Sequence, residues 1–294
     1  MAIVKDMDAE IGVIGGSGFY SMVKKPVIMH DNNSYGEPSE GIAIGALGSR
    51  KTAFLARHSK NHTIPPHKVN YRANIEALSN LGVKRIIATN AVGSLREDYM
   101  PGDILFFDQF VNMTNGRNDT FFDEDRVVHV SSADPYCEQL RKTGSSVAKR
   151  MGIRYHESGT VVVVNGPRFS TRAESKYYKA NGFDVINMTQ YPEVMLAREK
   201  QICYLGIGIV TDYDAGIEGR TDVAKVTTKD IEESFAKSMA SVKELVTGII
   251  KEVPEKRSCS CGSALENAAV LMPRGFRISP SFLLRLIVIT LSIK

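Results

Sequence analysis

The chain has 294 residues, of which 43% are hydrophobic and 24% charged, with a formal net charge of +4. This is the composition of a soluble globular protein with a substantial core, built as one large α/β domain or two small ones. It argues against nucleic-acid binding, since no run of Lys and Arg carries interleaved aromatics, and no HExxH or paired CxxC spacing offers a metal motif.

Asp6, Asp8 and Glu10 interrupt any apolar segment before Ile11, so no secretory signal is read and a cytoplasmic location is expected. From there strand candidates alternate with helical patterns, which points to one layered α/β domain. The first strand, 11–14, runs into Gly15-Gly16-Ser17-Gly18. Glycines let a backbone approach an anion, although a plain tight turn has the same composition. The loop is neither a Walker motif nor GxGxxG, which counts against kinases, ATPases and dehydrogenases. The second strand, 52–56, ends on Arg57 and His58, two donors suited to phosphate, with His62, Pro66 and His67 close behind. A helix is predicted over 69–81 and a strand over 85–89. Its continuation, Thr89-Asn90-Ala91-Val92-Gly93-Ser94, reads as a turn that wraps a ligand.

A strand at 103–107, a helix at 137–151 and a strand at 160–164 follow. Gly166-Pro167-Arg168-Phe169-Ser170 then supplies an aromatic able to stack on a base. A helix at 171–180 and a short strand at 185–187 lead to Asn187-Met188-Thr189, placed to touch a sugar and a phosphate. Phe169 and Met188 suit a core equally well. A helix at 191–201 precedes the longest apolar run, 202–211, a buried parallel strand ending on Thr211-Asp212-Tyr213-Asp214. Open α/β sheets collect ligands past the carboxyl ends of their strands. A carboxylate accepts from an amine and, when protonated, donates to a ring nitrogen. The 6-amino group and N7 of adenine present those two partners, and a solvated turn is the plain alternative. The last helix begins near Thr228, with Ile231, Phe235, Val242, Leu245 and Ile249 at helical spacing. Residues 254–261 are polar and read as irregular. The apolar stretch 282–289, broken by Arg285, falls short of the ~20 residues that span a bilayer and reads as a docked strand, a short helix or disordered chain.

These motifs stand together in the order of a known family. They are Gly15 to Gly18, Arg57-His58 with His62, Val69-Asn70-Tyr71, Gly93-Ser94-Leu95-Arg96-Glu97, Pro101-Gly102-Asp103, Gly166 to Ser170 with Arg172-Ala173-Glu174, Asn187-Met188-Thr189, Pro192-Glu193 and Thr211 to Asp214. Through them, residues 11–274 resemble the purine nucleoside phosphorylase family, and most closely its 5′-methylthioadenosine phosphorylase branch. The resemblance implies a single layered domain over 1–274, with a mixed, largely parallel sheet flanked by helices, and a C-terminal extension over 275–294. It implies reversible phosphorolysis of 5′-methylthioadenosine, and of adenosine, to adenine and a ribose 1-phosphate. Inorganic phosphate is the co-substrate, and no metal or organic cofactor is implied.

By the same resemblance Ser17, Arg57, His58, Asn90, Ala91 and Thr189 would bind phosphate, with Ala91 also facing the nucleoside. Met188 would lie against the ribose and Phe169 on the purine, whose edge Ser170, Asp212 and Asp214 would recognise. On chemical grounds Asp212 is the candidate acid that protonates N7, since a buried Asp with Asp214 nearby tends to hold a proton. His62, Pro66 and Thr228 would line the pocket for the 5′ substituent, with His129 and Leu271 supplied by a neighbouring subunit of a trimer or a pair of stacked trimers. Asn90 stands where that branch has Thr and is similar to the related inosine and guanosine enzymes. Thr228 and Glu232 stand where the branch has apolar residues, polar choices that suit a 5′-hydroxyl better than a thioether. The rivals are a 6-oxopurine nucleoside phosphorylase, a nucleosidase using water, and a non-catalytic purine-binding regulator.

Four cysteines remain. Cys259-Ser260-Cys261 is too close a pair to hold a tetrahedral zinc without other ligands. Thermostable relatives in the branch carry disulfides, so the resemblance implies Cys137–Cys203 and Cys259–Cys261 bridges, against the free thiols usual in a cytosolic enzyme.

Overall fold

The protein is described as a computed structural model over residues 8–23, 25–124, 127–216 and 227–268. The elements in chain order are β1 (Ile11–Gly15), β2 (Val27–Met29), β3 (Ile42–Leu47), β4 (Arg50–Ala56), α1 (Tyr71–Asn80), β5 (Arg85–Ser94), β6 (Ile104–Phe106), β7 (Gln109–Met113), α2 (Glu138–Arg150), β8 (Tyr155–His156), β9 (Thr160–Val164), α3 (Arg172–Ala180), β10 (Val185–Asn187), α4 (Gln190–Glu199), β11 (Cys203–Asp212) and α5 (Thr228–Glu252).

Among the described residues all eleven strands join one mixed sheet, and six of its ten pairings are parallel. β5 is its hub. One edge of β5 pairs β1 along its first half and β10 at its end, while the other edge carries β11 along its length. Side chains alternate across the sheet, as the period of two requires. Ile14, Tyr204 and Val210 enter the core shared with Ile75 and Leu78 of α1 and Leu196 of α4. Val13, Leu205 and Ile207 enter the opposite core, shared with Leu140 of α2 and Leu245 and Ile249 of α5. Helix starts are closed by side chains: Ala73 N donates to Asn70 Oδ1 at 3.2 Å, and capping boxes at Thr171/Glu174 and Thr227/Asp230 begin α3 and α5.

The structure corrects the reading of 89–94 as a turn: these residues continue β5. Ile207 through Val210 of β11 pair with Thr89 through Val92, and Val185 of β10 pairs with Ser94, so both edges of the extended chain find ladder partners. β2, β3, β7 and β8 were not predicted either, because their pairing is tertiary rather than visible in short apolar runs. The ladder between β5 and β11 shifts register between Val210 and Asp212. Gly102 N donates to Val210 O at 2.8 Å and Val210 N to Asp103 O at 3.0 Å, so Pro101-Gly102-Asp103 holds the bulge that turns Asp212. Among the described residues no helix is long and apolar enough to cross a membrane. Leu271 and the extension 275–294 lie outside the described residues.

The implied disulfides are absent. All four cysteines are free, and the Cys203 sulfur lies 3.4 Å from that of Cys259, which the resemblance paired with Cys261. The thiols have gathered into one cluster instead of two pairs.

Candidate active site

The carboxyl ends of β1, β4 and β11, and Asn187 at the end of the antiparallel strand β10, gather beside the second half of β5, and most of the predicted residues come with them. Arg57 follows β4 and is only 3% exposed. Its Nε and Nη2 donate to the two carboxylate oxygens of Glu193 at 2.6 and 2.8 Å, and Nη1 donates to Thr89 O at 3.1 Å. Glu193 is fully buried in α4 and also accepts from Tyr204 Oη at 2.6 Å. These bonds use three of the five guanidinium N–H groups, leaving two to meet an anion. The carboxylate raises the Arg57 pKa further above its usual range, so the cation is fixed in position and in charge.

His58 behaves differently from the donor expected. Its Nδ1 lies 2.8 Å from Ile64 O. A carbonyl can only accept, so Nδ1 carries the proton. Burial and the Arg57 charge push the pKa down to about 4. The neutral ring therefore offers Nε2 as an acceptor, suited to a protonated phosphate oxygen. His62, exposed and at φ 54°, packs against His58 with ring centroids 4.7 Å apart. Pro66 is half-buried and its carbonyl accepts from Tyr71 Oη at 3.0 Å.

Asn90 and Thr189, both buried, meet through a Thr189 Oγ1 to Asn90 Oδ1 bond of 2.9 Å. Ala91 lies beside them on β5. The buried Thr89 Oγ1 has no protein partner, and a Cβ at Gly15 would sit 2.6 Å from it. The glycine thus brings the backbone at the end of β1 against an unsatisfied hydroxyl, as an anion cradle requires. Ser17 begins the short 3-10 turn Ser17–Met22, and its side chain lies outside what is described.

At the end of β11, Asp212 Oδ2 accepts from Thr211 Oγ1 at 2.7 Å and Oδ1 accepts from the Asp214 N–H at 2.7 Å. Burial, with smaller contributions from Asp214 and Asp230, raises the Asp212 pKa to about 6. Asp230 stands in the first turn of α5, so the start of that helix, where exposed Thr228 lies, faces the turn electrostatically. Asp214 is 5% exposed and at φ 48°; burial raises its pKa, against hydrogen bonds from Ser175 and Ser170. Its Oδ2 has no protein partner. Gly93 has no room for a side chain, since a Cβ there would lie 3.0 Å from Asp212 Oδ1 and 3.2 Å from Asp214 Cα.

Phe169 is 37% exposed, an aromatic face without a protein cover. A Cβ at Gly166 would lie 2.3 Å from Met188 Sδ, which seats half-buried Met188 against that loop. Arg117 ties the region together: its Nη2 donates to Met188 O at 2.9 Å and Asn165 O at 3.2 Å. His129 is exposed, and its N–H donates to Ala268 O at 2.8 Å. The sequence reading missed Glu193 as the partner of Arg57, Ser175 as a partner of Asp214, and Arg117. Pro192-Glu193 was visible as a motif, but nothing local told its role.

The model of the phosphorylase superfamily matches residues 10–251. The chain belongs to the phosphorylase superfamily. Within it, the S-methyl-5′-thioadenosine phosphorylase of Thermofilum pendens is 49% identical over 263 residues, 89% of this chain and 98% of its own length. A methylthioadenosine phosphorylase from Schistosoma mansoni, solved with adenine, superposes with a TM-score of 0.83 at 35% identity, covering 89% of this chain and 99% of that one. The methylthioadenosine phosphorylase of the same organism, solved with tubercidin, gives 0.81 at 35% identity over 89% and 99%. This phosphorylase lies in the methylthioadenosine branch that its motifs resemble.

Proposed function

We propose that the chain carries out reversible phosphorolysis of 5′-methylthioadenosine to adenine and 5-methylthioribose 1-phosphate, and that Asp212 is the acid. The supporting observation is the pair of buried carboxylates at the end of β11, one with its pKa raised to about 6 and the other with an unpartnered oxygen. Asp214 Oδ2 is placed to accept from the 6-amino group, and protonated Asp212 donates to N7, which makes adenine a better leaving group. The raised pKa lets Asp212 hold a proton nearer neutral pH than a free carboxyl does, and a base packed over it desolvates it further. Phosphate held between Arg57, the Gly15 backbone, Thr89, Asn90 and Thr189 stabilises the oxocarbenium-like sugar and then bonds to C1′ from the opposite face. The configuration at C1′ inverts. The scheme uses phosphate as co-substrate and no metal or organic cofactor.

Adenosine fits as a second substrate, because the exposed Thr228 and Glu232 favour a 5′-hydroxyl. The functional unit is a homo-oligomer, a trimer or a dimer of trimers, in which His129 and Leu271 complete a neighbour's 5′ pocket. Exposed Val127 and Met113, at 58% and 40%, give that surface apolar area to cover. A cytoplasmic location accords with such small soluble substrates.

Turnover of methylthioadenosine, adenosine and inosine, each with and without phosphate, tests the reading. Adenine release that requires phosphate and exceeds inosine cleavage supports it. Phosphate-independent cleavage indicates a nucleosidase, a preference for inosine indicates the 6-oxopurine enzyme, and binding without turnover indicates a regulator.

A further inference from the structure

Three segments distant in sequence bring four sulfurs together at the amino end of β11. Cys137 is the N-cap of α2, Cys203 opens β11, and Cys259 and Cys261 flank the start of the 3-10 turn Ser260–Ser263. The four sulfurs all lie within 4.8 Å of one another. Cys137, Cys203 and Cys261 are at most 7% exposed and Cys259 is half-buried. We propose that this cluster is a structural tetrathiolate site for one zinc ion.

The dimensions favour a metal over bridges. Zn–S bonds of about 2.3 Å in a tetrahedron set the sulfurs about 3.8 Å apart, whereas a disulfide needs about 2.05 Å. The 3.4 Å between Cys203 and Cys259 is too long for a disulfide and close to the first spacing, and all four sulfurs lie within 4.8 Å of one another, as ligands of one ion do. The Cys259/Cys261 pair, too close to complete a tetrahedron alone, gains two ligands from α2 and β11. A donor set of sulfur alone selects zinc or iron rather than magnesium or calcium.

The surroundings hold the ligands in place. Cys137 N donates to Tyr204 O at 2.9 Å, and Cys203 N to Lys84 O at 3.0 Å. Gln139 Nε2 donates to Ser258 Oγ at 2.8 Å and Ser258 N returns to Gln139 Oε1 at 3.3 Å, which pins the Cys259 loop to α2. Arg257, anchored on Gln201 O at 2.9 Å, lies so close to Gly262 that a Cβ there would be 2.8 Å from Nη2. Its charge offsets the net negative charge of a tetrathiolate, as does the amino end of α2 beside Cys137. Binding converts the four thiols to thiolates, and their protons leave to solvent.

Cys203 and Asp212 stand nine residues apart along β11, about 30 Å at the strand rise. The ion therefore has no part in phosphorolysis. It clips α2, β11 and the segment after α5 into one unit.

The test is metal analysis of the full chain purified under reductant without oxygen. One zinc per chain is expected, released in step with thiol modification by a mercurial. Cobalt(II) in its place should show sulfur-to-metal charge transfer and the visible bands of a tetrahedral ion. Cys259→Ser removes the least buried ligand and should weaken zinc binding at least tenfold while phosphorolysis persists. A reduced wild-type chain that takes up no zinc overturns the proposal. So does an octahedral cobalt spectrum, or an intact mass lower by two hydrogens for each of two bridges in protein kept under reductant. Stoichiometric iron with strong visible absorption overturns the choice of zinc.

Discussion

The two ends of β11 handle buried ionisable groups in opposite ways. At the amino end, the sulfurs of Cys137, Cys203 and Cys261 are gathered inside an apolar core. At the carboxyl end, Asp214 Oδ2 and, on the adjacent β5, Thr89 Oγ1 are buried without a protein partner. A buried polar atom left unpaired costs of order 1–3 kcal/mol, so such atoms persist where a ligand supplies the bond. The comparison separates a cluster that serves the fold from one that serves the substrate. Disturbing the first should change stability and spare chemistry; disturbing the second should do the reverse.

The sharpest break in that rule is Arg57, which belongs to both categories. Arg57→Ala leaves fully buried Glu193 without its cation, an effect of about 3–5 kcal/mol on the unfolding free energy, and removes the phosphate donor as well. Urea unfolding and phosphate kinetics should both collapse. The double variant Arg57→Met/Glu193→Met should recover much of the stability and none of the activity. Recovery of activity with stability would show that the pair is structural only.

Asp212→Asn tests the purely functional side. The amide cannot protonate N7, so kcat should fall by about 10²–10⁴ while KM for methylthioadenosine changes little. The sign of the stability effect is opposite. Because the folded pKa is raised from 3.8 to about 6, the group's contribution is full below 3.8 and is lost as pH rises through about 6. Above pH 6 the variant should therefore be no less stable than the parent in thermal unfolding. A variant that is both unstable and active would assign Asp212 to the fold.

Asp214→Asn should act on selectivity. An amide donates where the carboxylate accepts, so the ratio of adenosine to inosine turnover should fall by about tenfold or more. An unchanged ratio would move base recognition away from this turn.

How much of this contrast was legible in the sequence depends on the range of the contacts. The apolar run of β11 and its acidic end were readable because strand periodicity and a charged terminus are local properties. The extension of β5 through Asn90 and Gly93 was not, since its ladder partners come from β10 and β11, about a hundred residues later in the chain. Arg57 signalled an anion site, but its pairing with Glu193 across 136 residues is a tertiary fact. The cysteines were read as two pairs by resemblance, and only the folded chain shows them as one cluster. The tautomer of His58 was equally hidden, because Ile64 O fixes it through a loop with no motif of its own.

That tautomer carries the smallest effect and the finest test. With Nδ1 donating to Ile64 O and the pKa lowered from 6.5 to about 4, His58 stays neutral at working pH and presents a lone pair at Nε2. His58→Asn can keep a donor near the Nδ1 position but has no atom at Nε2, so KM for phosphate should rise by about tenfold with nucleoside KM nearly unchanged. A depressed pKa contributes stability above the unfolded value of 6.5, and that contribution is lost as pH falls towards 4. The parent should therefore lose about 1–2 kcal/mol more than the variant between pH 7.5 and pH 5, narrowing the gap between them in urea unfolding. If the gap stays constant over that range, the ring is not held neutral. Nε2 would then be a donor to phosphate, and the electrostatics at the end of β4 would have to be redrawn around two cations.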